Sequence, residues 1–351
     1  MVDFTPLYTE RKLVAPIWGG SRLAVWLNLP APRPDHLGET WQVFDTNLVV
    51  GGPFAGRSLA DLAGEHGAAL VGTRTVARYG ADFPLLAKFI EANDRLSIQV
   101  HPDDAYAHSH EAATGFHGKM EAWYILDAAP GATVTYGLSQ PCTRDEFAAA
   151  VRVGTVERLM AHLPVAPGDV IFVPAGTLHA INAGIVLFEI QQKSDLTYRV
   201  YDYDRLDAKT GLPRELHIAK ALDISHFGPA SGAKVPPLAL SPGRDLLVAC
   251  TYFALERWTV TAPLAGVTDP ASFVILTVIA GAGELDWPAG TLPLDHGTSV
   301  VLPATLGAWT ITPTGGALTL LCAYVPDLDT LAAEVWQLTR DEQRVAEVVR
   351  R

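Results

Sequence analysis

The sequence predicts a mainly β protein built as two sandwich or barrel domains, and three observations predict it. Thirty glycines and twenty-five prolines among 351 residues make roughly one position in six a turn former. Between those turns lie runs of about five to eight residues that are apolar throughout or alternate with period two, the strand signature. One such pattern also occurs twice. GDVIFVPAGTLHAI from Gly168 and GTSVVLPATLGAWTI from Gly297 share a glycine, an apolar strand, a proline and a short turn.

Taken in order, the first domain is read over 1–205. Its strands are LLAKFIEA from Leu85, LSIQVHP from Leu96, AWYILDA from Ala122, DVIFVPAG from Asp169, IVLFEIQQ from Ile185 and LTYRVYDY from Leu196. Helices are short insertions: SLADLAGEHGAAL from Ser58, DDAYAHSHEA from Asp103, and TRDEFAAAVRV, which opens with a Thr143-x-x-Glu146 capping box. Residues 206–243 lose the strand rhythm and read as a linker. Strands resume over 244–326 with LLVACTYFALERWTV, SFVILTVIAGAGELDW, TSVVLPATLGAWTI and ALTLLCAYVP. The tail 327–351 spaces Leu328, Leu331, Val335, Leu338, Val345 and Val349 along one helical stripe, with a Thr339-x-x-Glu342 box that divides it in two. In the repeat, His179 of the first copy corresponds to Ala308 of the second, so only the first sandwich is expected to have a polar centre.

Charge narrows the partners. The formal net charge is −12 and there is no basic run, which argues against nucleic acid or an anionic membrane. A phosphorylated ligand must therefore be held by a few local cations against the overall field. No stretch approaches the roughly 18 apolar residues of a membrane span, and MVDFTPLYTERKL is charged where a signal peptide needs an apolar core. Cys142, Cys250 and Cys322 stand far apart and read as small hydrophobes in a reducing, cytoplasmic setting.

The strongest chemical signal is a set of possible metal ligands in the first domain. Gln99 and His101 lie two apart in SIQVHPDD, and period two puts both on one strand face. Glu121 begins the next strand, and His179 follows PAGTL where the chain enters another. Two imidazoles, one carboxylate and one amide oxygen suit zinc or a similar divalent ion. One carboxylate against a 2+ charge leaves such a site net positive, so the ion keeps its Lewis acidity. His108, His110 and His117 cluster nearby and read as a solvated or supporting element.

GDVIFVPAGTLHAIN resembles the second cupin motif. The blocks IWGG from Ile17, GETW from Gly38, LAKFIEANDRLSIQVHPDD from Leu86, GKMEAWYIL from Gly118 and FEIQQKSDLTYRVYDYDR from Phe188 resemble type I mannose-6-phosphate isomerase in its compact bacterial form. The resemblance implies two cupin-like jelly-roll domains with a C-terminal helix, the second degenerate and metal-free. It implies one Zn²⁺ per chain on Gln99, His101, Glu121 and His179, and active-site roles for Arg199, Lys119 and Glu189. Two departures from the family stand out: Gln42-Val43-Phe44 follows the tryptophan of GETW, and Lys193 replaces a common asparagine.

The expected reaction is the interconversion of mannose 6-phosphate and fructose 6-phosphate through a cis-enediol. It needs a base above the sugar plane, an electrophile at the two oxygens and a clamp for the phosphate. Arg199 is permanently charged and forked, suited to an anion. Lys119 or Glu189 could carry the proton, while Ser97 and Trp18 are candidate substrate contacts. The expected partner is a small sugar phosphate, with the chain a monomer or homodimer. Two rivals remain, a non-catalytic sugar-phosphate-binding cupin and a metal-cupin oxygenase.

Overall fold

The computed structural model describes residues 3–207, 210–229 and 231–351. It divides into two compact units, one of residues 1–12, 41–88 and 235–351 and the other of 13–40 and 89–234.

The candidate site is built on nine strands: β1 (Leu85–Ala92), β2 (Ile98–Val100), β3 (Glu121–Ala128), β4 (Thr133–Leu138), β5 (Met160–Pro164), β6 (Val170–Val173), β7 (His179–Ile181), β8 (Ile185–Gln192) and β9 (Tyr198–Tyr201). A five-stranded sheet has the order β9-β2-β7-β4-β5, and a six-stranded sheet carries β1-β8-β3-β6 as neighbours. Alternation decides what each strand shows to which side. Ile98, Val100, Ala180, Tyr198 and Val200 are buried in a cluster with Phe147 and Ala221, which belong to the helices Arg144–Arg152 and Ile218–Ile224. Gln99, His179 and Arg199 therefore project from the opposite face. There Tyr136 and Ile181 join Ile90, Trp123, Ile125, Ile171, Val173, Ile185 and Leu187 in one core cluster drawn from both sheets. Each fully buried aliphatic side chain contributes about 1.5–3 kcal/mol, which holds even the three-residue β2 in place.

The local start signals act as the sequence suggests. Thr143 closes a complete capping box with Glu146. Ser58 caps the helix Leu59–His66 by accepting from Asp61 N–H. Asp103 caps Asp104–His110 by accepting from Tyr106 N–H. The glycines of IWGG serve close packing: a Cβ on Gly20 would lie 2.2 Å from Glu91 Oε1. Among the described residues, no helix is long and apolar enough to cross a membrane. All three cysteines are free.

In the other unit the run from Leu246 resolves into two strands, Arg244–Cys250 and Ala254–Val260, paired antiparallel. Two long strands, Val274–Trp287 and Ala308–Tyr324, pair along most of their length. The tail forms helices Leu328–Thr339 and Glu342–Val348. Their division differs from the expected box. Arg340 turns left-handed and Asp341, not Thr339, caps the second helix by accepting from Gln343 and Arg344 N–H. Leu331 and Val335 of the stripe are buried, but Leu338 is exposed because that turn of helix faces water.

The repeat survives in the register. Val173 pairs with Glu121, and its counterpart Leu302 pairs with Val274. The ligand positions Glu121 and His179 thus correspond to Val274 and Ala308, two apolar residues. A polar centre is nonetheless present in the second sandwich, contrary to the expectation from Ala308 alone. The fully buried Glu256 accepts from Arg244 Nε at 2.7 Å and Nη2 at 2.8 Å, from Trp258 Nε1 at 2.7 Å and from Tyr324 Oη at 2.7 Å. These donors neutralise and satisfy the carboxylate, so the covalently attached guanidinium stands where an ion would otherwise be needed. Removing it in Arg244→Met strands a buried charge. Water reaches the Arg244 side of the pair, so the loss falls at the lower end of the range for broken buried pairs, about 3 kcal/mol. Denaturant unfolding of the variant measures it.

Candidate active site and metal centre

Cross-strand register assembles the site. Gln99 lies directly opposite His179 on one side and Arg199 on the other, and directly opposed residues share a face. His101 follows β2 by one residue and is buried. On the other sheet Glu121 opposes Gln191, and Trp123 opposes Glu189.

Both imidazoles are oriented from behind. His101 Nδ1 lies 2.8 Å from Leu196 O, and His179 Nδ1 lies 2.8 Å from Thr177 O. A carbonyl oxygen can only accept, so each Nδ1 carries the hydrogen and each Nε2 presents a bare lone pair. Burial, reinforced by the Lys119 charge, pushes His101 down to about 3. Burial lowers His179 as well. Both rings are therefore neutral near pH 7, the form that coordinates a metal.

Glu121 supplies the charge. Burial alone would raise its carboxyl, but the Lys119 ammonium outweighs burial and holds it well below the usual range. Its Oε1 is 2.8 Å from Lys119 Nζ and 3.2 Å from His101 Nε2, and its Oε2 is 3.7 Å from His179 Nε2. The donor atoms of His101, Glu121 and His179 all lie within 4.8 Å of one another. The Gln99 amide nitrogen stands 3.4 Å from both Nε2 atoms. A half-turn of that amide replaces Nε2 by Oε1 and adds an oxygen to the set. Four acceptors then converge on one point, an arrangement that is repulsive without a cation, and their N2O2 chemistry fits a divalent ion of the zinc class.

The remaining candidates surround this centre. Lys119 is buried, with Nζ 3.3 Å from His101 Nε2. Glu189 is buried and shares one donor with Glu121: Trp123 Nε1 lies 3.0 Å from Glu189 Oε2 and 3.1 Å from Glu121 Oε2. Arg199 donates from Nη1 to Glu215 O at 2.9 Å. Its buried Nε has no hydrogen-bond partner among the described residues. Burial, then Arg214, weakens its hold on the proton, while the nearby Asp202 is engaged by Arg205 and Arg214. Ser97 is buried just before β2. Trp18 is 5% exposed and packs in the core cluster with Ile90 and Trp123.

Sequence reasoning did not single out Trp123 or Gln191. Gln191 donates its amide to Gln192 O and Ser194 O, leaving a buried Oε1 that has no partner among the described residues. Both residues were findable by period two, since Trp123 stands two after Glu121 and Gln191 two after Glu189.

Residues 10–127 match the family model for the catalytic domain of type I phosphomannose isomerase, and residues 244–322 match that for the mannose-6-phosphate isomerase cupin domain. A mannose-6-phosphate isomerase of Streptococcus mutans is 34% identical over 309 residues, covering 87% of this chain and 94% of that one. The chain belongs to the type I phosphomannose isomerase family. As a member of that family it is an isomerase, and its two sandwiches are cupin domains. Another mannose-6-phosphate isomerase, from Bacillus subtilis, is 35% identical over 322 residues, 87% of this chain and 93% of that one. The crystal structure of the mannose 6-phosphate isomerase from Bacillus subtilis superimposes with a TM-score of 0.81 at 34% identity, over 91% of this chain and 99% of that one. The phosphomannose isomerase of Salmonella typhimurium, with 16% identity and a TM-score of 0.73, shares the fold.

Proposed function

We propose that this isomerase interconverts mannose 6-phosphate and fructose 6-phosphate through a cis-enediol, with one zinc ion per chain held by Gln99, His101, Glu121 and His179. The observation that carries the reading is the pair of back-bonded imidazoles whose bare Nε2 atoms face an ionised, buried carboxylate. The family relationship supports the substrate pair. When bound, the zinc would supply Lewis acidity and positive charge beside the sugar oxygens.

The chain's own residues do the rest. Arg199 offers a forked cation with an unspent buried donor, suited to the anionic substrate. Lys119 and Glu189 are the buried groups that can move a proton between C1 and C2, and Trp123 fixes Glu189 by its shared N–H. Ser97 and Trp18 complete the substrate contacts, Trp18 by shaping the apolar floor. This catalytic role falls to the domain read over 1–205, followed by the linker 206–243, the metal-free second domain 244–326 and the helical tail 327–351. The partner is a small sugar phosphate, not a nucleic acid or a membrane, for a cytoplasmic monomer or homodimer.

Fructose 6-phosphate incubated with metal-loaded enzyme in D2O should acquire deuterium at C2 of the mannose 6-phosphate formed, read by proton NMR. Product carrying only hydrogen at C2 would contradict an enediol whose proton exchanges with solvent. Binding without any product would favour the non-catalytic rival.

A further inference from the structure

A second group of metal-ligating side chains lies outside the centre described above. We propose that Asp104, His108 and His117 form a second divalent-cation site, of the zinc class, on the rim of the same domain. Their candidate donor atoms lie within 4.8 Å of one another, with His108 Nε2 and His117 Nδ1 3.1 Å apart. Asp104 and His108 are one turn apart on the helix Asp104–His110, and i, i+4 spacing puts them on one face. His117 comes from the following loop.

Two features point to a prepared site. The first is the carboxylate: Asp104 Oδ1 accepts from Gly118 N–H and from Gln192 Nε2, both at 2.8 Å. Such outer hydrogen bonds orient a metal-binding carboxylate. The second is the loop, which is fixed before any ion arrives. His117 N–H donates to Lys193 O and Lys119 N–H to Pro102 O. A Cβ on Gly118 would lie 2.5 Å from the Asp103 carbonyl carbon, so only glycine allows the loop this close to the helix.

Two imidazoles and one carboxylate give an N2O set, which suits zinc and similar ions with water completing the shell. His108 is exposed, so the ion exchanges more readily and binds more weakly than one in the buried centre. Its occupancy would clamp residues 117–119 to the helix, and with them the backbone that carries Lys119 to Glu121. Through Gln192, whose Oε1 accepts from Met120 N–H, the clamp reaches the residue next to Glu121. The second site thus stiffens the segment that presents the catalytic lysine without touching the substrate.

The test is zinc content per chain, by elemental analysis after equilibration at a series of buffered free-zinc concentrations. The wild-type protein, His108→Ala and His179→Ala are compared, with circular dichroism to confirm folding. Wild type should reach two equivalents, and His108→Ala should lose only the weaker one. His179→Ala should lose the tighter one while keeping the weaker, which separates this proposal from the catalytic reading. Saturation of wild type at one equivalent that His179→Ala removes would overturn the second site. So would two equivalents retained by His108→Ala with an unchanged weaker constant.

Discussion

Chelation of the purified enzyme lowers turnover on the order of 10³-fold or more, since a catalytic ion supplies several kcal/mol, and stoichiometric zinc restores it. The expectation follows from four acceptors with no internal cation equal to them. Among the described residues, the cation facing Glu121 Oε1 and His101 Nε2 is Lys119, at 2.8 and 3.3 Å. His101 Nε2 and Glu121 Oε1 stand opposed at 3.2 Å, a contact that a cation between them would relieve. The apoprotein should therefore also melt at a lower temperature, because an ion that binds only the folded state stabilises it by mass action. His179→Ala should behave like the chelated enzyme but resist rescue. Elemental analysis, a coupled isomerase assay and thermal melts on one preparation measure all three effects. Full turnover in protein shown to be metal-free would end the account.

Arg199→Lys lowers kcat/KM by about 10²–10³-fold, the scale for removing one preorganised donor to developing negative charge. Lysine keeps the charge but loses the planar fork. Its three N–H groups also radiate from one atom, so they cannot reach both Glu215 O and the place of the buried Nε–H. The residue sits opposite Gln99 in the sheet, so its backbone position is fixed by the strand and the substitution acts through the side chain. Metal content should not change. A variant that loses zinc along with activity would show that Arg199 supports the cage and does not serve the substrate.

Much of this arrangement was legible in the sequence because strands have so few degrees of freedom. The bounds Leu85–Ala92 and Ile185–Gln192 coincide with the apolar runs, and period two alone puts Gln99 beside His101. The convergence of Glu121 and His179 on that pair followed from residue chemistry and then from resemblance, not from local spacing. What stayed hidden depends on backbone atoms, which every residue has. The carbonyls of Leu196 and Thr177 set both imidazole tautomers, yet no side-chain pattern marks them. The second polar centre was missed for another reason. Thr251-Tyr252-Phe253 makes the turn between two strands with neither glycine nor proline, so Glu256 reads as part of one long run from Leu246 that leaves Arg244 outside it. The C-terminal break was located within two residues, but the capping side chain was misassigned because Thr339 Oγ1 instead donates back to Val335 O.

The ion pair of Arg244 with Glu256 has a consequence for the life of the protein. A guanidinium that is part of the chain never has to be found by diffusion and cannot be lost to dilution. The buried Glu256 carboxylate is therefore balanced whatever the surroundings supply. On the proposed zinc reading, the centre around Glu121 would instead depend on an outside resource. When zinc runs short, the enzyme would fall silent without being discarded, and refilling one cage would return it to service.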